Sequence, residues 1–115
     1  MKPLDGVKVI DLTHMLAGPY AGMVIADLGA EVVKVEPLTN GEMTRGLLKN
    51  DPNYSFKQFG AYFLTLNRNK KSVSIDLKNE KGLEVFYDLV KSADIVLNNF
   101  SAGVVQKLKI DFDTL

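Results

Sequence analysis

The sequence predicts an α/β fold, a mostly parallel sheet with flanking helices, and three observations carry that expectation. Two runs rich in β-branched residues, 7–12 and 31–36, bracket an apolar stretch at 17–28 that contains alanine and glycine and reads as a helix. A second strand, helix, strand succession follows at 73–97. The composition fits one compact core, since 46% of the 115 residues are hydrophobic and 24% are charged.

Taken in order, Gly6 precedes the first strand, and Gly29 lies just past the first helix, where a residue with positive φ commonly ends one. Helical and strand periodicity then vanish over residues 37–59, where Pro37, Asn40, Gly41, Asn50, Asp51, Pro52 and Asn53 all favour turns. A loop this long is functional or is held by something else. Tyr54, Phe56, Phe59, Tyr62 and Phe63 need burial and read as a hydrophobic patch covering the sheet. The polar run 67–72 reads as a solvated turn, with a phosphate or subunit contact as the alternative. Residues 73–77 alternate and predict a strand with one polar face. Asn79 is placed to cap the next helix, Glu80 and Lys91 suit its dipole, and Leu83, Phe86, Tyr87, Leu89 and Val90 form its apolar face. Residues 94–97 read as a third short strand, and a final short helix from near Ala102 turns Val104, Val105 and Leu108 inward. Residues 111–115 look like a helix entrance with no helix following, so 1–115 is expected to be a single partial domain.

Fourteen basic residues balance fourteen acidic ones, which argues against nucleic acid or an anionic membrane as partner. The absence of cysteine excludes a disulfide framework, and a single histidine argues against a zinc site. No targeting segment or spanning stretch is legible, and a cytoplasmic location is the expectation.

In an open parallel sheet, ligands gather at the carboxyl ends of the strands. Thr13, His14 and Ala17-Gly18-Pro19 fall there, as do Glu36-Pro37, Lys78 and Asn98-Asn99-Phe100. A dinucleotide-binding unit would share this opening and an acidic residue at the place of Glu36. However, Gly18 and Gly22 do not make the G-x-G-x-x-G fingerprint. His14, the one side chain that titrates near neutrality, reads on its own as a hydrogen-bonded structural residue, because no serine or cysteine with a base partner accompanies it. Asp11, Asp27, Asp76 and Asp94 read as caps or solvated carboxylates.

Read together, PLDGVKVIDLTH at 3–14, AGP at 17–19, LGAEVVKVE at 28–36, GEMTRG at 41–46, LNRNKKS at 66–72, DLK at 76–78 and ADIVLNNF at 93–100 resemble, in order and spacing, the amino-terminal part of class III (CaiB/BaiF-type) coenzyme A transferases. The resemblance covers essentially the whole chain. It implies the first part of a Rossmann-like large domain, in a protein with a second, smaller domain and two interlocked subunits. It also implies transfer of CoA from an acyl-CoA thioester to a carboxylic acid, through an aspartyl anhydride and an enzyme-bound CoA thioester. The nucleophilic aspartate is expected downstream of Leu115, so the chain would hold no catalytic residue and be inactive alone.

What the resemblance assigns to this chain is CoA binding. His14 and the backbone of Leu16 and Ala17 match the loop at the thioester end; Ile75, Asp76, Leu77 and Lys78 match the stretch beside the adenine and phosphates; Asn99 and Phe100 match a later contact, and Lys107 a phosphate contact. Leu16 stands where formyl-CoA transferases have a glutamine, and Pro37 where they have an arginine, which argues against oxalate and formate as substrates. No metal is implied. The alternatives are an α-methylacyl-CoA racemase of the same fold, a nicotinamide-binding domain, and a noncatalytic nucleotide-binding or interaction module. A sheet ending at this point would expose an edge, so association with a complementary segment or another copy, or marginal stability, is expected.

Overall fold

The computed structural model describes residues 1–115. Its main sheet has four strands, β1 (Lys8–Asp11), β2 (Glu31–Glu36), β5 (Lys70–Ser74) and β6 (Ile95–Leu97), all parallel, in the order β5-β2-β1-β6. Helix α1 (Ala17–Asp27) joins β1 to β2, and α3 (Glu80–Val90) joins β5 to β6. β1 therefore has β2 on one side and β6 on the other, and the direction in which strands are added to the sheet reverses between β1 and β6. A crevice opens outside the carboxyl ends of strands at such a reversal.

The central strands are buried on both faces, which is why their sequence is a β-branched run rather than a clean alternation. On one face Ile10, Leu12 and Val35 pack with Ile75, Phe86 and Ile110, against α3 and the short helix α4 (Val104–Lys107). On the other, Val9 and Val32 pack with Ala26 and Ala30, against α1. Gly29, at φ 110°, ends α1 with its N–H on the carbonyl of Ala26 while the N–H of Ala30 reaches Ile25, a left-handed cap that L side chains resist. Asn79 caps α3 as expected, its Oδ1 accepting from the N–H of Lys81 at 3.0 Å.

Three local expectations are corrected. The third strand in chain order along this sheet is Lys70–Ser74 rather than 73–77. It pairs only with β2, and an edge strand tolerates polar side chains, so its position is set by register rather than apolar alternation. After the N–H of Ile75 reaches the carbonyl of Glu36, Asp76 accepts from the N–H of Lys78 and turns the chain toward α3. Within 37–59 the chain forms a 3-10 turn, Met43–Arg45, and a hairpin of β3 (Ser55–Phe56) and β4 (Phe59–Gly60). Lys57 and Gln58 occupy its tip with φ of 48° and 69°, a turn usually signalled by Asn-Gly. The aromatic segment does not cover the sheet as a unit: Phe63 on α2 (Ala61–Leu66) is buried, whereas Tyr54, Phe56 and Phe59 are exposed.

Gly82 lets the first turn of α3 close on the chain leaving β5, since a Cβ there would lie 2.1 Å from the carbonyl oxygen of Asp76. Alanine normally favours a helix interior by about 1 kcal/mol over glycine. Gly82→Ala is nevertheless expected to lower stability in urea unfolding by about 1–3 kcal/mol, the usual cost of overpacking; a gain would show that the contact relaxes freely.

Candidate functional site

The crevice at the strand reversal is a cleft of about 1100 Å³. Seven of the ten residues singled out in the sequence line it: His14, Ile75, Asp76, Leu77, Lys78, Phe100 and Lys107. Ile75 is a core residue, 7% exposed, that presents an apolar floor, while Lys78 and Lys107 are exposed at the wall. Three lie outside the lining. Leu16 caps the start of α1 and points outward, Ala17 is the first residue of that helix, and Asn99 acts through His14. The N–H of His14 donates to Asn99 Oδ1 at 2.9 Å, and Asn99 Nδ2 donates to the His14 carbonyl at 2.8 Å. This pair of bonds clamps the loop after β1 to the loop after β6, and it sets the His14 ring 6.0 Å from the ring of Phe100.

Beneath that loop lies a buried ionic cluster on the α1 face of the sheet. β1 and β2 each carry buried charged side chains toward their carboxyl ends, and the parallel register puts Asp11 beside Lys34. Asp11 is fully buried, correcting its reading as a cap or solvated carboxylate. Its Oδ2 accepts from Lys70 Nζ at 2.8 Å and lies 3.7 Å from Lys34 Nζ, while Oδ1 accepts from the N–H of Thr13 at 2.8 Å and from its hydroxyl. Lys34 Nζ donates to the Thr13 carbonyl at 2.8 Å, and Lys70 Nζ also donates to the Pro19 carbonyl and Asn67 Oδ1. The polar run 67–72 is thus no solvated turn at Lys70, whose side chain is 2% exposed. Gly22 makes room for the cluster, since a Cβ there would fall 2.8 Å from Asp11 Oδ2. Burial would raise the Asp11 carboxyl, but the charge of Lys34, with the bonds from Lys70 and Thr13, holds it below its ordinary value. Burial lowers the Lys34 ammonium, partly offset by Asp11.

A second carboxylate pair anchors the loop after β2. Glu36 receives a bidentate fork from Arg45, Nε at 2.6 Å and an Nη at 2.7 Å, together with Ser72 Oγ at 2.6 Å and the N–H of Glu42 at 2.7 Å. Arg45 also lies over the ring of Phe63, 3.9 Å from its centroid. Glu42, itself buried, accepts from the N–H of Met15 at 2.8 Å and from the N–H and hydroxyl of Thr44. That bond holds Met15 at φ 70° and leaves Glu42 Oε1 3.8 Å from His14 Nδ1, a buried atom with no hydrogen-bond partner. Burial lowers the His14 pKa, partly opposed by Glu42, so the imidazole is neutral at pH 7. Sequence reasoning did not assign Glu42, Arg45, Lys34 or Lys70 to the site, although GEMTRG and LNRNKKS were visible as motifs. No group of three histidine, cysteine or carboxylate side chains gathers to hold a metal ion, and no helix is long and apolar enough to cross a membrane.

Burial would raise Glu36, yet the bonds from Arg45, Ser72 and the Glu42 N–H lower it from 4.5 to about 2. A carboxyl lowered on folding stabilises the fold above its ordinary pKa, and that contribution is lost as pH falls from 4.5 toward about 2. The difference corresponds to roughly 3 kcal/mol. Glu36→Gln is expected to lower stability at pH 7 by that order and to flatten the acid limb of stability against pH, which urea unfolding from pH 7 to pH 2 measures. Asp11 titrates in the same sense, so part of the limb persists.

The sequence model of CoA-transferase family III matches residues 4–115. A formyl-CoA:oxalate CoA-transferase of Afipia carboxidovorans is 40% identical over 114 residues, covering 99% of this chain and 26% of that protein. A succinyl-CoA:mesaconate CoA-transferase of Haloarcula hispanica is 42% identical over 118 residues, covering 100% of this chain and 29% of that protein. Among solved structures, a CAIB/BAIF family protein from Brucella suis superposes with a TM-score of 0.88 at 39% identity, covering 98% of this chain and 30% of that one. The chain spans between a quarter and a third of the length of these relatives. Matched across nearly its whole length in sequence and in fold, the chain belongs to CoA-transferase family III.

Proposed function

We propose that the chain supplies the CoA-binding part of a CoA transferase, and that the cleft at the strand reversal receives the coenzyme. One observation carries this reading: residues far apart in sequence, His14, Ile75 to Lys78, Phe100 and Lys107, converge on one cleft with an apolar floor and exposed lysines at its wall. That combination suits a ligand with an adenine ring and phosphates. Lys78 and Lys107 take phosphate oxygens, Ile75 and Leu77 flank the base, and the His14 loop, clamped by Asn99 and Glu42, faces the thioester end. The backbone N–H groups of Leu16 and Ala17, at the start of α1 beyond the cleft lining, are assigned on family resemblance as donors for negative charge on the thioester oxygen.

In the proposed reaction an aspartate outside these 115 residues attacks the thioester carbonyl. The CoA thiolate leaves and a mixed anhydride forms. The thiolate then attacks the aspartyl carbonyl, releasing the donor acid and leaving an enzyme CoA thioester. The acceptor carboxylate attacks that thioester, and the same two exchanges run in reverse to give the new acyl-CoA. The transferase names of the relatives favour this reading over a racemase. Leu16, exposed and with no side-chain donor, favours acids other than oxalate and formate. The exposed Tyr54, Phe56 and Phe59 favour a protein whose further segments or second subunit cover the hairpin.

Calorimetric titration tests the reading. The chain is expected to bind CoA and to catalyse no transfer alone. Lys78→Ala and Lys107→Ala should each weaken binding about tenfold, or about 1.4 kcal/mol. Lys49→Ala, exposed and outside the cleft, should leave it unchanged. Binding of NADH without binding of CoA would replace the reading with a nicotinamide domain.

A further inference from the structure

A third lysine, Lys109, lines the same cleft, and nothing in the reading above uses it. Its backbone sits at φ 58°, in the left-handed region that favours glycine. The cause is the end of α4, where the N–H of Lys109 donates to the carbonyl of Gln106 at 3.0 Å and the N–H of Ile110 to that of Val105 at 2.9 Å. This is the same double-bonded cap that ends α1, where glycine fills the equivalent position at Gly29. One chain therefore uses the same turn twice, once with the residue the turn prefers and once with a lysine. The turn is needed at both places, because Ile110 must enter the core. The lysine is not needed for the turn.

The backbone of Lys109 is also pinned from outside, its carbonyl accepting from the Tyr87 hydroxyl at 2.8 Å. The side chain thus leaves a rigid turn beside the cleft. Lys78, Lys107 and Lys109 form no ion pair with any carboxylate, although Asp76 and Glu80 line the same cleft. Their charges are free for an anion.

CoA carries three phosphate groups, two in the diphosphate bridge and one at the ribose 3′-position, and the cleft presents three lysines free of ion pairs. We infer that Lys109 is a specificity-determining residue that engages the 3′-phosphate, so that the cleft discriminates CoA from dephospho-CoA. This rests on the CoA reading proposed above. A compact ammonium on a flexible stem suits a terminal phosphate monoester, which carries close to two negative charges at neutral pH.

Calorimetry on the chain with CoA and with dephospho-CoA tests it, using Lys109→Gly and Lys109→Gln. Lys109→Gly relieves the left-handed strain and is expected to melt at the same or a higher temperature, so lost binding would not reflect unfolding. Both variants should bind CoA about five- to tenfold more weakly while dephospho-CoA binding stays as in the parent chain. Equal loss for the two ligands, or no loss for either, overturns the assignment. If the parent chain binds neither ligand, the CoA reading itself fails and this inference falls with it. Tight parent binding of CoA with unchanged discrimination in the variants refutes Lys109 alone.

Discussion

The arrangement depends on a carboxylate that cannot reach water. Asp11 is buried at the end of the central strand, and an isolated charge there would cost several kcal/mol. Two ammonium groups and two donors from Thr13 surround it instead. Each partner comes from a different piece of chain: Lys34 from β2, Lys70 from β5 and Thr13 from the loop beyond β1. Satisfying one carboxylate therefore ties three strands together, the end of β1, the interior of β2 and the start of β5, and α1 can lie over them because Gly22 has no side chain. A buried ion pair of this kind is weak evidence for net stability, since apolar residues could fill the space. Its consequence is geometrical: it selects one placement of the strands relative to one another, and their carboxyl ends carry the cleft.

From that platform the loops are tied outward in sequence. Lys34 holds the Thr13 carbonyl, Asn99 holds both backbone groups of His14, and Glu42 holds the N–H of Met15. Three consecutive residues of one loop are thus fixed by three different segments. Glu42 is in turn placed by its own N–H on Glu36, which Arg45 and Ser72 neutralise and orient. The long connection after β2 thus props the loop after β1, and the support runs through side-chain carboxylates rather than through regular structure.

The fold class was legible because its signals are local. Strands β1 and β2 show β-branched runs, α3 shows an apolar face with an Asn79 cap, and Gly29 marks the end of α1. The cleft was legible where its residues follow strands, as with His14, Lys78 and Phe100. What escaped depends on pairing partners far away in sequence. Nothing around Lys70 distinguishes a solvated lysine from one that reaches a carboxylate 59 positions earlier. Likewise Lys57 and Gln58 lack the side chains that announce a two-residue hairpin turn, so β3 and β4 were hidden. Gly18 and Gly22 were visible only as a failed phosphate fingerprint; their use is close helix approach, against Thr13 and Asp11 respectively.

The clamp between His14 and Asn99 spans 85 positions of chain, and it closes only when β6 has docked beside β1. Contacts of such high sequence separation are paid for late in folding, after local helices and the β1–α1–β2 unit can already exist. Any molecule held between these two loops is consequently bound by the completed sheet and by no earlier species, so its affinity adds to the stability of the last-formed junction by mass action. The opening at that junction lies between the two neighbouring strands most distant in sequence, so its shape is a property of the whole sheet and of no shorter stretch of chain.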